Sequence, residues 1–264
     1  MAVPVSGSYG RAMTDLPLLP RLEKTARDAG RVIMDIYAQD FAVHFKGEND
    51  PVTAADSLAE AVILPVLRAL TPDIPIVAEE EAAAGRIPQV GDTFWLVDPL
   101  DGTKEFIKKN GEFTVNIGLI AGGVPVLGVV YAPALDILWA GADGQAWRQD
   151  ARGRHTIACR PAPPHGAIVL DSRSHRAADR LQAFLDGLPG AVVENAGSSL
   201  KFCRIAEGSG DYYPRFGPTC EWDTAAAHAV LLAAGGEVVT WDNVALGYGK
   251  PKFRNPDFLA RAKT

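Results

Sequence analysis

Four acidic residues and one threonine carry the chemistry that this chain announces. Asp98 and Asp101 stand in the run Trp95-Leu96-Val97-Asp98-Pro99-Leu100-Asp101-Gly102-Thr103. The apolar stretch Phe94 to Val97 predicts a buried strand that stops at the first aspartate. Pro99 has no N–H to give a ladder and is expected to turn the chain away. Gly102 then lets the backbone come close to a ligand. Two carboxylates at a strand end suit hard divalent cations, which take oxygen ligands. Bringing them together is unfavourable unless something cationic binds between them. Thr103 adds a hydroxyl beside them. Glu79 follows the apolar stretch Ile74 to Ala78, and Asp223 opens the helical pattern Trp222-Asp223-Thr224-Ala225-Ala226. From a strand end and a helix start, these two could close a shell around two cations. Ions about 4 Å apart form a clamp for in-line displacement at phosphorus.

Each acid also has a plainer explanation. Asp beside Pro and Gly makes ordinary turns. Glu79 heads a run of three glutamates, and such runs are usually solvated charge. Asp223 could cap its helix, and Asp56 could be the acidic partner of a Thr53 cap. Taken singly, Asp56 and Asp223 would be read that way. A turn, however, does not call for two aspartates beside Gly-Thr, and the acids taken together point to a metal site.

Rival phosphatase chemistries fail on spacing. A cysteine nucleophile needs Arg six residues on, but Cys159, Cys203 and Cys220 are followed there by His165, Ser209 and Ala226. An aspartyl nucleophile wants two aspartates with one residue between them, and here there are two, Pro99 and Leu100. Neither a G-x-x-x-x-G-K-[ST] loop nor G-x-G-x-x-G is present, so ATP and dinucleotide use have no support.

Composition narrows the class further. The 264 residues allow one large domain or two modest lobes, with 47% hydrophobic and 22% charged residues. A net charge of −6 argues against a general nucleic-acid binder. It leaves an anionic substrate open, because bound cations invert the local field. Three cysteines without C-x-x-C spacing speak against a disulfide framework or a zinc site and for a reducing cytosol. No apolar run approaches about 18 residues, so no transmembrane helix is expected. No signal peptide is evident, and residues 1–14 read as a disordered extension.

The elements that must position these residues follow from periodicity. Helices are expected at Leu16 to Ala38 and from Thr53 to Leu70, with a strand at Phe41 to Phe45 and a flexible loop over 46–51. Thr114 to Ile120 and Val124 to Tyr131 read as a hairpin, followed by strands at 137–140 and 145–148. Pro161-Ala162-Pro163-Pro164 marks a boundary. Beyond it come strands at 167–170, 192–195, 211–213 and 237–240, alternating with helices at 177–185, 199–207 and 223–234. The expected organisation is an α/β protein of two lobes, 15–160 with most of the acidic residues and 161–264 with Asp223.

Asp98-Pro99-Leu100-Asp101-Gly102-Thr103 together with Trp222-Asp223-Thr224-Ala225-Ala226 resembles the lithium-sensitive, magnesium-dependent inositol monophosphatase superfamily, over nearly the whole chain from Leu22 to Asn255. Within it, Thr103-Lys104-Glu105-Phe106 departs from the Thr-x-Asn-Phe of inositol monophosphatases. Gly197-Ser198-Ser199-Leu200-Lys201-Phe202-Cys203 and Tyr213-Pro214-Arg215-Phe216-Gly217-Pro218-Thr219 resemble instead the bacterial 3'(2'),5'-bisphosphate nucleotidases. The resemblance implies a layered αβαβα sandwich. It also implies magnesium-dependent hydrolysis of the 3'-phosphate of adenosine 3',5'-bisphosphate, a by-product of sulfate assimilation, to AMP by metal-activated water. It leaves open whether the sulfated precursor is a second substrate.

By motif, Glu79, Asp98, the Leu100 carbonyl, Asp101 and Asp223 would hold two or three Mg2+ ions, with lithium inhibiting. Thr103, with Asp56 and Glu79, would activate the water, and Gly102 and Thr103 would offer backbone N–H groups to the scissile phosphate. Lys201 and Arg215 would hold the other phosphate, with Ser198 and His175 near the nucleotide. For Lys201 and His175, a solvated helix lysine and a surface loop residue are the plainer alternatives. The resemblance further implies a monomer or homodimer in the cytoplasm, and it leaves room for peripheral association with the inner membrane. The alternatives are an inositol or sugar monophosphatase on the same core, and a non-catalytic nucleotide sensor.

Overall fold

Leu22, Ala26, Ala29 and Ile33 recur at helical spacing and form the buried stripe of α1 (Leu18–Tyr37). The structure, a computed structural model, describes residues 18–39, 43–47, 50–173 and 177–263, with 43–47 and 50–53 by backbone alone. Residues 1–14, Leu16, Phe41, His175 and the side chain of Thr53 lie outside that description. After α1 come β1 (Val43–Gly47) and β2 (Asp50–Thr53), an antiparallel pair with Gly47 opposite Asp50. The flexible loop expected over 46–51 is therefore largely strand. Its polar residues conceal the pairing because a short hairpin shows little apolar alternation. Next, α2 (Ala54–Leu70) lies against α1.

The two helices cover one face of a seven-stranded sheet. Its strands are β3 (Ile76–Ala78), β4 (Thr93–Asp101), β5 (Thr114–Ala121), β6 (Val124–Ala132), β7 (Ile137–Ala142), β8 (Gln145–Asp150) and β9 (Gly153–Thr156), neighbours in chain order. Only the β3–β4 pair is parallel. Two short helices serve the site: α3 (Glu79–Ala83) follows β3, and α4 (Thr103–Ile107) follows β4. Strands β5 and β6 are buried on both faces along most of their length, which explains their nearly unbroken apolar sequence.

The second sheet is built after residue 160. It contains β10 (Ile168–Ser172), β11 (Val192–Ala196), β12 (Tyr212–Arg215), β14 (Gly236–Thr240) and β16 (Phe258–Ala262), in the order β11-β10-β12-β16-β14. Its intervening helices are α5 (Ala178–Leu185), α6 (Leu200–Ala206) and α7 (Ala225–Ala233). A minor ladder joins β13 (Thr219–Cys220) to β15 (Arg254–Asn255). Between the sheets lie α6 and α7. Val130 and Trp139 from the larger sheet, Phe202 and Val230 from the helices, and Tyr213 and Phe258 from the smaller sheet share one core. On the outer face, Phe184 of α5 packs edge-on against Tyr212, ring centroids 5.8 Å apart. The layers read α, β, α, β, α, as the resemblance implies.

How closely α7 lies on the larger sheet is set by three glycines. Gly118 is opposite Gly128, and Gly128 is opposite Gly141, on β5, β6 and β7. A Cβ on Gly118 would stand 2.8 Å from the Ala226 nitrogen, and one on Gly141 would stand 2.7 Å from the Val230 Cα. One on Gly128 would overlap the Ala226 carbonyl oxygen. Helix and sheet thus meet backbone to backbone, and Asp223, just ahead of α7, is carried down with the helix. Gly128→Ala should destabilise the fold by roughly 1–3 kcal/mol, the usual range for overpacking. Gly91→Ala, where a Cβ meets nothing within 4 Å, should stay within about 0.5 kcal/mol. Equal urea midpoints for the two variants would show that the stripe does not hold the helix.

Candidate functional site

Strand β4 does not stop at Asp98. It continues through Pro99 to Asp101, which corrects the expected turn. Pro99 is tolerated because the ladder is irregular there: Asp98 faces Asn116 and Asp101 faces Thr114, so β4 carries one residue more than β5 across this stretch. In a regular strand, residues three apart point to opposite faces. The bulge removes that difference, and both aspartates follow Thr114 and Asn116 onto one face. Leu100 is buried in the core, and its N–H bonds Asp98 Oδ1 at 3.1 Å. Gly102 then leaves the strand at φ +92°, where a Cβ would stand 3.0 Å from the Glu112 carbonyl oxygen. Thr103 opens α4 with its Oγ1 3.4 Å from the Leu100 carbonyl oxygen.

Glu79 opens α3, and Ala78 ahead of it supplies no side-chain cap. Glu60 of α2 does this work instead, accepting the N–H groups of Glu80 at 2.9 Å and Glu81 at 3.1 Å. Asp223 precedes α7 by two residues and accepts the Cys220 N–H at 2.9 Å. No side chain caps that helix, so capping does not explain Asp223. Fully buried Glu221 accepts the N–H groups of Gly249 at 2.8 Å and Lys250 at 2.9 Å and pairs with the Lys250 ammonium at 2.7 Å. It pins the segment that carries Asp223.

The acids converge in the dark of the protein. Asp98 is 1% exposed and Asp56 2%. Burial, followed by the charges of Glu79, Asp101, Asp223 and Asp56, pushes the Asp98 pKa well above the usual carboxylate range. Burial and the charges of Asp101 and Glu79 do the same to Asp223. Burial also raises Asp101, against the Ser198 hydrogen bond and the Lys201 charge. Among the described residues no three acidic, histidine or cysteine side chains are gathered as tightly as a ligand set. The donor set of these acids is all oxygen and mutually repelling, with Asp98 buried and Glu79, Asp101 and Asp223 half-buried at the cavity, which fits hard divalent cations.

Asp98, Asp101, Thr103 and Asp223 line a cavity of about 310 Å³, together with Lys201 and Arg215. That volume lies within the range of small-molecule sites, about 300–1,000 Å³. Asp56 influences Asp98 without lining the cavity. Lys201 is not a solvated helix lysine: it is 3% exposed, and its Nζ donates to the carbonyls of Ala196 at 3.0 Å and Ser198 at 2.7 Å. Burial lowers its pKa to about 8, against the Asp101 charge. Arg215, at the end of β12, donates from Nη2 to the Pro218 carbonyl at 3.1 Å, while its buried Nε has no partner. Ser198 Oγ donates to Asp101 Oδ2 at 2.7 Å. Sequence reasoning missed Glu60, Glu221, Thr114, Asn116 and Ser199. Two signals were available: Glu60 lies one helical turn beyond Asp56 on α2, and Thr114 and Asn116 alternate on one face of an apolar strand.

Residues 17–262 match the inositol monophosphatase family. The 3'(2'),5'-bisphosphate nucleotidase CysQ of Escherichia coli K12 is 48% identical over 244 residues, covering 91% of this chain and 98% of that protein. The CysQ nucleotidase of Buchnera aphidicola is 44% identical over 253 residues, covering 93% and 94%. Among solved structures, CysQ from Bacteroides thetaiotaomicron superposes with a TM-score of 0.75 at 36% identity, covering 91% of this chain and 95% of that one.

The raised carboxylate pKa values have a consequence for stability. Between the ordinary carboxylate range and the raised values, the folded chain keeps protons that the unfolded chain has lost. The contribution of Asp98, Asp101 and Asp223 therefore falls as pH rises. In chelator at about pH 8, Asp98→Asn should be more stable than the parent in urea, with the gap closing toward about pH 4. A variant less stable than the parent at pH 8 would mean that the cluster is not under electrostatic strain.

Proposed function

This chain belongs to the inositol monophosphatase family, and from that premise we propose that it is a 3'(2'),5'-bisphosphate nucleotidase. It would cleave the 3'-phosphate of adenosine 3',5'-bisphosphate to release AMP and phosphate. Its relatives are named as 3'(2'),5'-bisphosphate nucleotidases. One observation carries the substrate reading: an acidic wall and a buried cationic pair face the same cavity. A monophosphate needs only the first. Lys201 and Arg215 answer to a second phosphate.

Glu79, Asp98, the Leu100 carbonyl, Asp101 and Asp223 would hold two or three Mg2+ ions. Once bound, such ions supply positive charge for the scissile phosphate and its leaving oxygen and make a water more acidic. The chain's own residues do the rest. Gly102 and Thr103 present backbone N–H groups to the phosphate. The Thr103 hydroxyl would take one proton from the attacking water as it passes its own to the Asp56 carboxylate, with Glu79 nearby. Ser198 orients Asp101, and Lys201 and Arg215 hold the 5'-phosphate. The place of His175 beside the nucleotide rests on motif alone. In this reading residues 15–160 supply most of the acidic half and 161–264 the nucleotide half. Lithium inhibits by competing for the acidic wall. The enzyme works in the cytoplasm on a small nucleotide, as a monomer or homodimer. No described helix is long and apolar enough to cross a membrane.

Hydrolysis should require Mg2+ and cease with EDTA; full turnover in excess chelator would rule out the metal reading. Thr103→Ala should lower kcat more than it raises KM, by about 100- to 10,000-fold if the hydroxyl assists as a base. A change confined to KM would make Thr103 a binding residue.

Arg215→Ala tests the substrate. It should lower kcat/KM for the bisphosphate by roughly 1.5–3 kcal/mol, the range for hydrogen bonds to charged groups, and affect inositol 1-phosphate far less. Equal losses on both substrates would remove the nucleotidase assignment's physical support and favour a sugar or inositol monophosphatase.

A further inference from the structure

From Ser198 at the cavity wall a set of neutral polar groups runs inward, and beyond Ser198 the reaction above uses none of them. Ser198 Oγ, bonded to Asp101, lies 2.6 Å from Thr114 Oγ1. Thr114 Oγ1 lies 2.8 Å from Ser199 Oγ and accepts from Asn116 Nδ2 at 3.0 Å. Ser199 Oγ donates to Asn116 Oδ1 at 2.7 Å, and with Thr114 giving its one proton to Ser198 the donors run in a chain from Ser199 through Asn116, Thr114 and Ser198 to Asp101. Thr114, Asn116 and Ser199 are all buried. Polar groups placed so deep are unfavourable unless fully bonded, and once bonded they rigidify what they touch.

What they touch is both halves of the cavity. Thr114 stands opposite Asp101 in the β4–β5 ladder. The turn before α6 holds Ser198 at φ +54°, a conformation uncommon for a residue with a side chain. The carbonyl of that same Ser198 receives the Lys201 ammonium. The Thr114 hydroxyl is therefore one bond from the residue that orients Asp101 and also seats Lys201.

We propose that Thr114 is a positioning residue that couples the cation side of the cavity to the second-phosphate side. The proposal rests on the nucleotidase reading for the identity of the two ligands. By fixing Ser198, the Thr114 hydroxyl sets the orientation of the Asp101 carboxylate and of the carbonyl that holds Lys201. Its loss loosens both. Groups that orient ligands in this way typically control 10- to 100-fold in metal affinity.

The test uses the full chain and two calorimetric titrations, Mg2+ and AMP, on the parent, Thr114→Val and Thr114→Ser. Thr114→Val should lose roughly tenfold in Mg2+ affinity and several-fold in AMP affinity. Thr114→Ser, which keeps the hydroxyl, should stay within about twofold of the parent on both. A folded Thr114→Val with parental affinities overturns the proposal, and so does a variant that loses urea stability alone. If Thr114→Val does not fold, Ser199→Ala removes the next hydroxyl and should lower Mg2+ affinity about threefold; parental affinity there is equally fatal. Failure of the nucleotidase reading would look different. A parent that binds Mg2+ but does not hydrolyse the bisphosphate refutes that reading, while the Mg2+ titrations still decide the role of Thr114. A parent that binds neither ligand refutes both.

Discussion

Carboxylates brought to one cavity, within reach of one another's charge, set the terms for the rest of this molecule. Asp98, Asp101 and Asp223 are each held above the ordinary carboxylate pKa, with burial as the leading cause. Such an arrangement would relax if the chain let it. Several independent devices prevent that. The β4 bulge turns two aspartates onto one face, the glycine stripe draws α7 and Asp223 onto the sheet, Glu60 caps α3 from another helix, and Glu221 ties down the segment ahead of Asp223. Each is a packing or backbone constraint that side-chain repulsion cannot easily undo.

The cationic half of the cavity comes from the other sheet. Strands β10 and β11 run parallel, and β10 also pairs in parallel with β12. Their C-terminal ends bring Ser172, the turn after Ala196, and Arg215 to one edge. Ligands in open α/β sheets gather outside such carboxyl ends, and this cavity obeys that rule. The division suits a substrate with two phosphates. One sheet carries most of the acids that call for cations, and the other carries fixed positive charge. Lys201 is buried against the Asp101 charge, so the two halves also moderate each other.

Motif residues were legible in the sequence because their chemistry is local. Asp98, Asp101 and Thr103 stand out from their neighbours alone, Asp223 only when set beside them, and the structure brings all four to one cavity. What was not legible depends on register. Pro99 signals a turn to any local reading, yet the opposing strand absorbs it as a bulge. Residues 46–51 look like a loop, but Gly47 pairs with Asp50. The last strand, β16, sits inside the second sheet between β12 and β14. Its residues, Phe258-Leu259-Ala260-Arg261-Ala262, show no clear alternation, so nothing short of the sheet reveals it. Glu60 and Glu221 were missed for a related reason: each bonds backbone N–H groups of a distant segment, and their partners are visible only in three dimensions.

The chemical character of the groups around Asp101 follows from the same electrostatics. A further carboxylate there would deepen the repulsion. A further cation would compete with any metal for the same charge. Neutral hydroxyls and an amide avoid both problems, because they orient a carboxylate through hydrogen bonds without changing the net charge of the cavity. The sequence uses this beside Asp101: Ser198 bonds it, and Thr114, Asn116 and Ser199 stand behind Ser198. Lys201 apart, the charged braces stand farther from Asp101. Glu60 meets backbone at α3, and Glu112 holds the Gly197 N–H at 2.8 Å while pairing with Arg173. Charge is thus concentrated where a ligand can answer it, and order around it is maintained by groups that carry none.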